Sequence, residues 1–112
     1  MNFVSNRTMT APAEIKPLVD AIRVRMKPDS IWLFGSRARG DASSTSDWDI
    51  CVALPNDADP ALLDPLVGWE LQKAFDVPAT IVATSTAELE ESWGAINTLG
   101  YELARDARRI AD

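Results

Sequence analysis

Two short apolar segments set the tightest limits on how this chain can fold. Ser30-Ile31-Trp32-Leu33-Phe34 is apolar and aromatic and runs straight into Gly35-Ser36. This predicts a buried strand that stops at a turn. From Trp48 to Leu54, residues Trp48, Ile50, Val52 and Leu54 alternate with Asp47, Asp49, Cys51 and Ala53. That alternation predicts a second strand with two unlike faces. Between them, residues 35–46 are rich in Gly, Ser, Ala and Arg and are expected to form a loop with one helical turn.

The remaining chain supplies helices and one more strand. A length of 112 residues permits one domain, expected to span 13–112 behind a frayed or disordered tail over 1–12. Ile15, Leu18, Val19, Ile22 and Met26 recur at helical spacing, predicting a helix from Ala13 to Met26. Thr10 or a neighbour would cap it, Pro12 suits its first turn, and Pro17 is expected to delay the regular helix. Asp59-Pro60 marks a further helix start, with Leu62, Leu63, Leu66, Val67, Leu71 and Phe75 as its buried stripe. Ala79 to Thr84 reads as a third strand, entered through Pro78. Ser85 and Glu88 form a capping-box pattern for a short helix ending near Trp93. A last helix is expected from Ile96 to Ile110, despite Gly100. This order predicts a small layered α/β or α+β fold.

Composition excludes several classes of chemistry. The 46% hydrophobic and 25% charged content is ordinary for a globular chain. The longest apolar runs have four or five residues, against roughly 20 for a membrane span. With no signal-type run at the N-terminus, a cytoplasmic protein without a membrane partner is expected. One cysteine and no histidine rule out an internal disulfide, a cysteine-based zinc site and Ser-His or Cys-His catalysis. Catalysis would have to rest on carboxylates, hydroxyls, Lys/Arg and a hard metal. A net charge of −6 argues against general nucleic-acid binding. It leaves room for a single nucleotide whose triphosphate is neutralised by magnesium, and it suits a basic protein partner.

The chemistry-bearing text is Gly35-Ser36-Arg37-Ala38-Arg39-Gly40-Asp41, followed by Ser46-Asp47-Trp48-Asp49-Ile50. Strand alternation places Asp47 and Asp49 on one face, roughly 6.5–7 Å apart at Cα. Two carboxylates so placed can converge on one or two cations, and magnesium prefers such oxygen ligands. Gly35 would let a phosphate approach the backbone closely, and Ser36 adds a hydroxyl donor. Of Arg37 and Arg39, one is expected to meet phosphate and the other a structural carboxylate such as Asp41. Asp-x-Asp alone is most often a turn or solvent-face pattern. Its weight comes from the combination with Gly-Ser, each half attached to a strand.

These residues resemble the minimal nucleotidyltransferase family of the DNA polymerase beta superfamily. The likeness rests on Gly35 and Ser36, ten intervening residues, then Asp47 and Asp49, with Ala38-Arg39-Gly40 and Ser46-Asp47 as family-like flanks. It extends over about residues 13–110. The resemblance implies an α+β nucleotidyltransferase fold, a small mixed sheet with helices packed on it. It also implies transfer of a nucleoside monophosphate from an NTP, expected to be ATP, to an acceptor hydroxyl. Asp47 and Asp49 would then be catalytic and hold Mg2+, or Mn2+ in its place. Gly35, Ser36, Arg37 and Arg39 would bind the nucleotide. Very short members of the family often serve as antitoxins that modify a helical HEPN-type toxin. A protein acceptor fits a chain with no added substrate-binding domain, and a homo-oligomer is compatible with it.

One family feature is missing. The third carboxylate, in a segment reading like Val-Asp-Leu-Val, is matched here by Pro78-Ala79-Thr80-Ile81-Val82, which puts Thr80 in its place. Asp76 would need a shifted strand to reach the site. The alternative is therefore a degenerate nucleotide-binding module that neutralises its partner by contact. Cys51, on the face of Asp49, reads as a buried small residue rather than a reactive thiol. Trp32 and Trp48 read as core, Trp69 and Trp93 as candidates for a subunit or partner surface. Arg105, Arg108 and Arg109 either touch phosphate or simply mark a helix C-terminus.

Overall fold

The computed structural model describes residues 8–95 and 97–111. The elements in chain order are β1 (Thr8–Thr10), α1 (Lys16–Met26), β2 (Ser30–Phe34), α2 (Ser36–Arg39), β3 (Trp48–Leu54), α3 (Pro65–Phe75), β4 (Ala79–Ser85), α4 (Thr86–Ser92), α5 (Leu99–Asp106) and β5 (Arg108–Ala111). A short 3-10 turn, Pro60–Leu63, precedes α3. The strands form one five-stranded sheet in the order β1-β5-β2-β3-β4. It is mixed: β2 runs antiparallel to β3 and β5, whereas β3–β4 and β1–β5 are parallel.

Alternation along β2 and β3 divides the interior into two layers. Ile31, Leu33, Trp48, Ile50, Val52 and Leu54 face one side, where Leu18, Val19 and Ile22 of α1 and Val67 and Leu71 of α3 cover them. Trp32, Phe34, Cys51 and Ala53 face the other, against Leu89 of α4 and Leu103 of α5. All five residues of β2 are buried, as expected of a central strand flanked on both edges and covered on both faces.

Several sequence expectations are corrected. Helix α1 starts at Lys16 rather than Ala13, with Pro17 in its first turn and Ile15 as N-cap. Thr10 belongs to β1 and caps nothing. Proline lacks the N–H that an interior helical position needs, so Pro17 sets the start. The helix expected from Asp59 is interrupted. Asp59 accepts from the Ala61 N–H at 3.0 Å, and Asp64 then caps α3 by accepting from the Leu66 N–H at 2.9 Å. The second Asp-Pro pair restarts the helix, which turns Leu63, Leu66 and Phe75 outward at 43%, 54% and 39% exposure.

The last helix is shorter than expected. It ends at Asp106, Ala107 is extended, and Arg108–Ala111 is a strand inserted between β1 and β2. Thr8–Thr10, within the expected tail, is the edge strand beside it. Ile96, the expected start of that helix, and residues 1–7 of the tail lie outside the described residues. Among the described residues no helix is long and apolar enough to cross a membrane.

Candidate active site

The turn after β2 is built by glycine. Gly35 has φ +75°, and a Cβ there would collide with the Asp49 carboxylate. It also caps α2, its carbonyl accepting from the Ala38 and Arg39 N–H groups at 3.1 Å each. Phe34 lies opposite Asp49 across β2 and β3, so the Gly-Ser turn emerges directly beside that carboxylate. The first N–H groups of a helix have no partner within it, and here they begin at the turn itself.

A cleft of about 300 Å³ gathers the expected residues Gly35, Ser36, Arg39 and Asp49 with Glu102, Arg105 and Asp106 of α5. Sequence alone does not assign the three α5 residues to the site, although Arg105 is one of its candidates for a phosphate contact. Their signal was available: positions 102, 105 and 106 lie three and four apart, on one face of a helix. Arg108 and Arg109, considered with Arg105, belong to β5 instead. Arg109 donates to the Asp29 carbonyl at 3.5 Å.

The two loop arginines divide their work. Arg37 donates through Nη2 to the Ser46 carbonyl at 2.8 Å and to that of Ser44 at 3.3 Å, and stacks over Trp48 at 4.2 Å. It braces the loop between the Gly-Ser turn and the Asp-x-Asp strand. Arg39 donates to Asp41 at 3.2 Å and to Asp106 at 3.1 Å. Asp106, with only 10% of its side chain exposed, also accepts from Arg105 at 3.3 Å. One carboxylate thus holds two guanidinium groups at the rim of the cleft and ties α5 to the loop. Hydrogen bonds to Asp41 and then Asp106 raise the Arg39 pKa and keep its charge secure.

Asp49 is the strained charge of the cleft. Partial burial first, then the negative fields of Asp47 and Glu102, push its carboxyl above the ordinary aspartate range, while Arg39 acts in the opposite direction. Asp47 itself is exposed just before β3. A cation would relieve this repulsion, and the donors are all oxygens, so the set suits a hard metal that takes its other ligands from phosphate and water. Among the described residues, no three acidic, cysteine or histidine side chains form a closed cage that would hold a metal by themselves.

Thr80 lies directly opposite Asp49 on β4. Asp76 is displaced from it: it caps the C-terminus of α3 with φ +51°, before β4 begins. Cys51 is fully buried and its thiol is pushed up to about 12 by desolvation alone. Trp48 and Trp32 are core residues at 6% and 1% exposure. Trp93 is half-buried and packs on Trp32 with ring centroids 5.3 Å apart. Trp69 remains half exposed.

No curated protein matches this chain. A solved structure described as "Crystal structure of the toxin-antitoxin with AMP-PNP" is similar to it in fold, with 20% identity and a TM-score of 0.50 over 88% of this chain and 72% of that one. Residues 15–103 match the family model for the nucleotidyltransferase domain, a span that contains the Gly-Ser turn, Asp47, Asp49 and the start of α5 with Glu102. The chain therefore belongs to the nucleotidyltransferase domain family.

Proposed function

We propose that this chain is a minimal nucleotidyltransferase that moves a nucleoside monophosphate from a magnesium-bound NTP, ATP foremost, to a hydroxyl of a partner protein. The observation that carries this reading is the convergence of Gly35, Ser36, Arg39 and Asp49 on one cleft. Gly35 and Ser36 would receive the phosphates, with Arg39 and Arg105 supplying positive charge. Asp49, with Asp47, would hold magnesium, which when bound polarises the phosphoryl oxygens and favours the oxyanion of the acceptor. The acceptor oxygen bonds the α-phosphorus as the bond to pyrophosphate breaks, and the hydroxyl proton passes to a carboxylate or to solvent.

A cleft of about 300 Å³ lies at the lower end of ligand sites, enough for the phosphates but not the whole nucleotide. The nucleoside would continue into the adjoining furrow along α5, which shares Glu102 and Arg105 and adds Thr98 and Tyr101. The biological setting we infer is antitoxin action on a helical HEPN-type toxin. It is supported by fold likeness to a toxin-antitoxin structure with AMP-PNP. The net charge of −6 suits a basic partner.

A second reading rests on Thr80. A neutral side chain opposite Asp49 can neither ligate the acceptor-side metal strongly nor take the acceptor proton. Nucleotide binding without transfer, and neutralisation of the partner by contact, would follow. Calorimetry with Mg-ATP on the wild type and Asp49→Ala tests the site: magnesium-dependent binding is expected in the first and loss of at least tenfold in the second. Absence of such binding in the wild type overturns both readings. Labelled ATP incubated with the cognate toxin separates them, because label on the toxin requires transfer.

A further inference from the structure

Strand β4 ends the sheet, and among the described residues it is paired on one side only, with β3. Its sequence, Ala-Thr-Ile-Val-Ala-Thr-Ser over Ala79–Ser85, has no charge and no proline. Edge strands are normally blunted by lysine, proline, a bulge or very short length, and this seven-residue edge has none of the first two and is not short. The opposite edge, β1, has three residues among those described. An unblunted row of backbone donors and acceptors is complementary to another extended strand. A helical partner, whose backbone groups are already used internally, cannot fill it.

We propose that a second copy of this chain occupies the edge, β4 pairing antiparallel with β4 about a two-fold axis at Val82. In that register Val82 faces its own copy, Thr80 faces Thr84, Ile81 faces Ala83, and Ala79 faces Ser85. Ile81 meets a small alanine, threonines meet threonines, and no like charges are opposed although each chain carries −6. Two five-stranded sheets become one continuous sheet.

Helix α3 gives an independent reason. It packs over β4 so closely that a Cβ on Gly68 would lie 2.9 Å from Ile81. Pro65, Trp69 and Gln72 share the furrow beside Ala79, Thr80 and Ile81, so this flank overhangs the open edge, while Glu70 reaches Arg25 of α1 on the other flank. A two-fold axis normal to the sheet keeps both copies of α3 on the same face, side by side and antiparallel. Centred near Gly68, that pair covers Trp69, which is 54% exposed in the single chain. It also directs Lys73 of each copy toward the Asp64 end of the other. The interface is self-complementary in hydrogen bonding, in size and in charge, as an isologous contact requires.

Sedimentation equilibrium of the full chain at micromolar to millimolar concentration tests this, independently of any nucleotide. The expected result is a species of twice 12.2 kDa. Val82→Lys and Val82→Glu should each run as monomers with unchanged circular dichroism, and an equimolar mixture should recover the doubled mass. Should either variant fail to fold, Val82→Cys replaces it: oxidation is expected to cross-link the dimer through residue 82. A wild type that stays monomeric throughout overturns the proposal. So does a dimer indifferent to Val82→Lys, or one that Val82→Cys does not cross-link. Amide exchange over 79–85 that slows only when a different protein is added would assign the edge to that partner's strand and likewise overturn it.

Discussion

At the scale of single residues, the site turns on the contact between Gly35 and Asp49. Gly35→Ala would need both a left-handed backbone and room already filled by the Asp49 carboxylate. We expect a loss of about 1–3 kcal/mol of stability and loss of Mg-nucleotide binding, read by chemical denaturation and calorimetry on the same sample. Asp49→Asn should separate stability from function. The folded-state pKa of Asp49 is raised by burial, then by Asp47 and Glu102. The stability contributed by its neutral form is therefore complete below the ordinary aspartate value and lost as pH rises through the raised one. The asparagine variant should melt a few degrees (~2–4 °C) above the wild type near neutrality, with the gap closing in acid, while nucleotide binding is lost. A gap that stays constant between acid and neutral pH would contradict this. Cys51 should resist thiol reagents at mildly alkaline pH in the native protein and react on unfolding, because burial raises its pKa to about 12.

At the scale of elements, the last helix is legible in the sequence, but its end and its role are not. Period and amphipathicity reveal a helix, yet nothing local says that Glu102, Arg105 and Asp106 will face Asp49, more than fifty positions earlier in the chain. The close approach of α4 and α5 makes that placement. A Cβ on Gly100 would clash with the Ser92 backbone, so the glycine that seemed a weakness inside a helix is what lets α5 seat. Gly100→Ala should cost about 1–3 kcal/mol by overpacking and reduce nucleotide affinity through displacement of Arg105, measured by denaturant titration and calorimetry. Gly100→Ala with unchanged stability would show that α5 seats by other means. The Asp59 and Asp64 caps make a related point: both are Asp-Pro pairs, and taking only the first as a helix start merges a turn with a helix.

At the scale of the whole molecule, the sheet closes through its two chain-terminal strands. Ile110 is 3% exposed and packs with the α1 and α3 layer, so Ile110→Asp should bury an unpaired carboxylate and destabilise by at least about 3 kcal/mol, observable as loss of the cooperative thermal transition. The pattern of the chain by itself determined β2, β3 and β4, the helical stretches between them and the Gly-Ser to Asp-x-Asp text. Those features are local: alternation, capping residues and glycine act over a few positions. Only the tertiary structure decided that Arg108–Ala111 is a strand, because four residues ending a helical pattern extend only when an open edge of β2 is there to receive them. It likewise decided that Thr80 stands beside Asp49 as a registered neighbour, and that Asp106 gathers Arg39 and Arg105. Pairing register and the packing of a distant helix are long-range outcomes, fixed by which faces must be buried together and not by any residue's immediate neighbours.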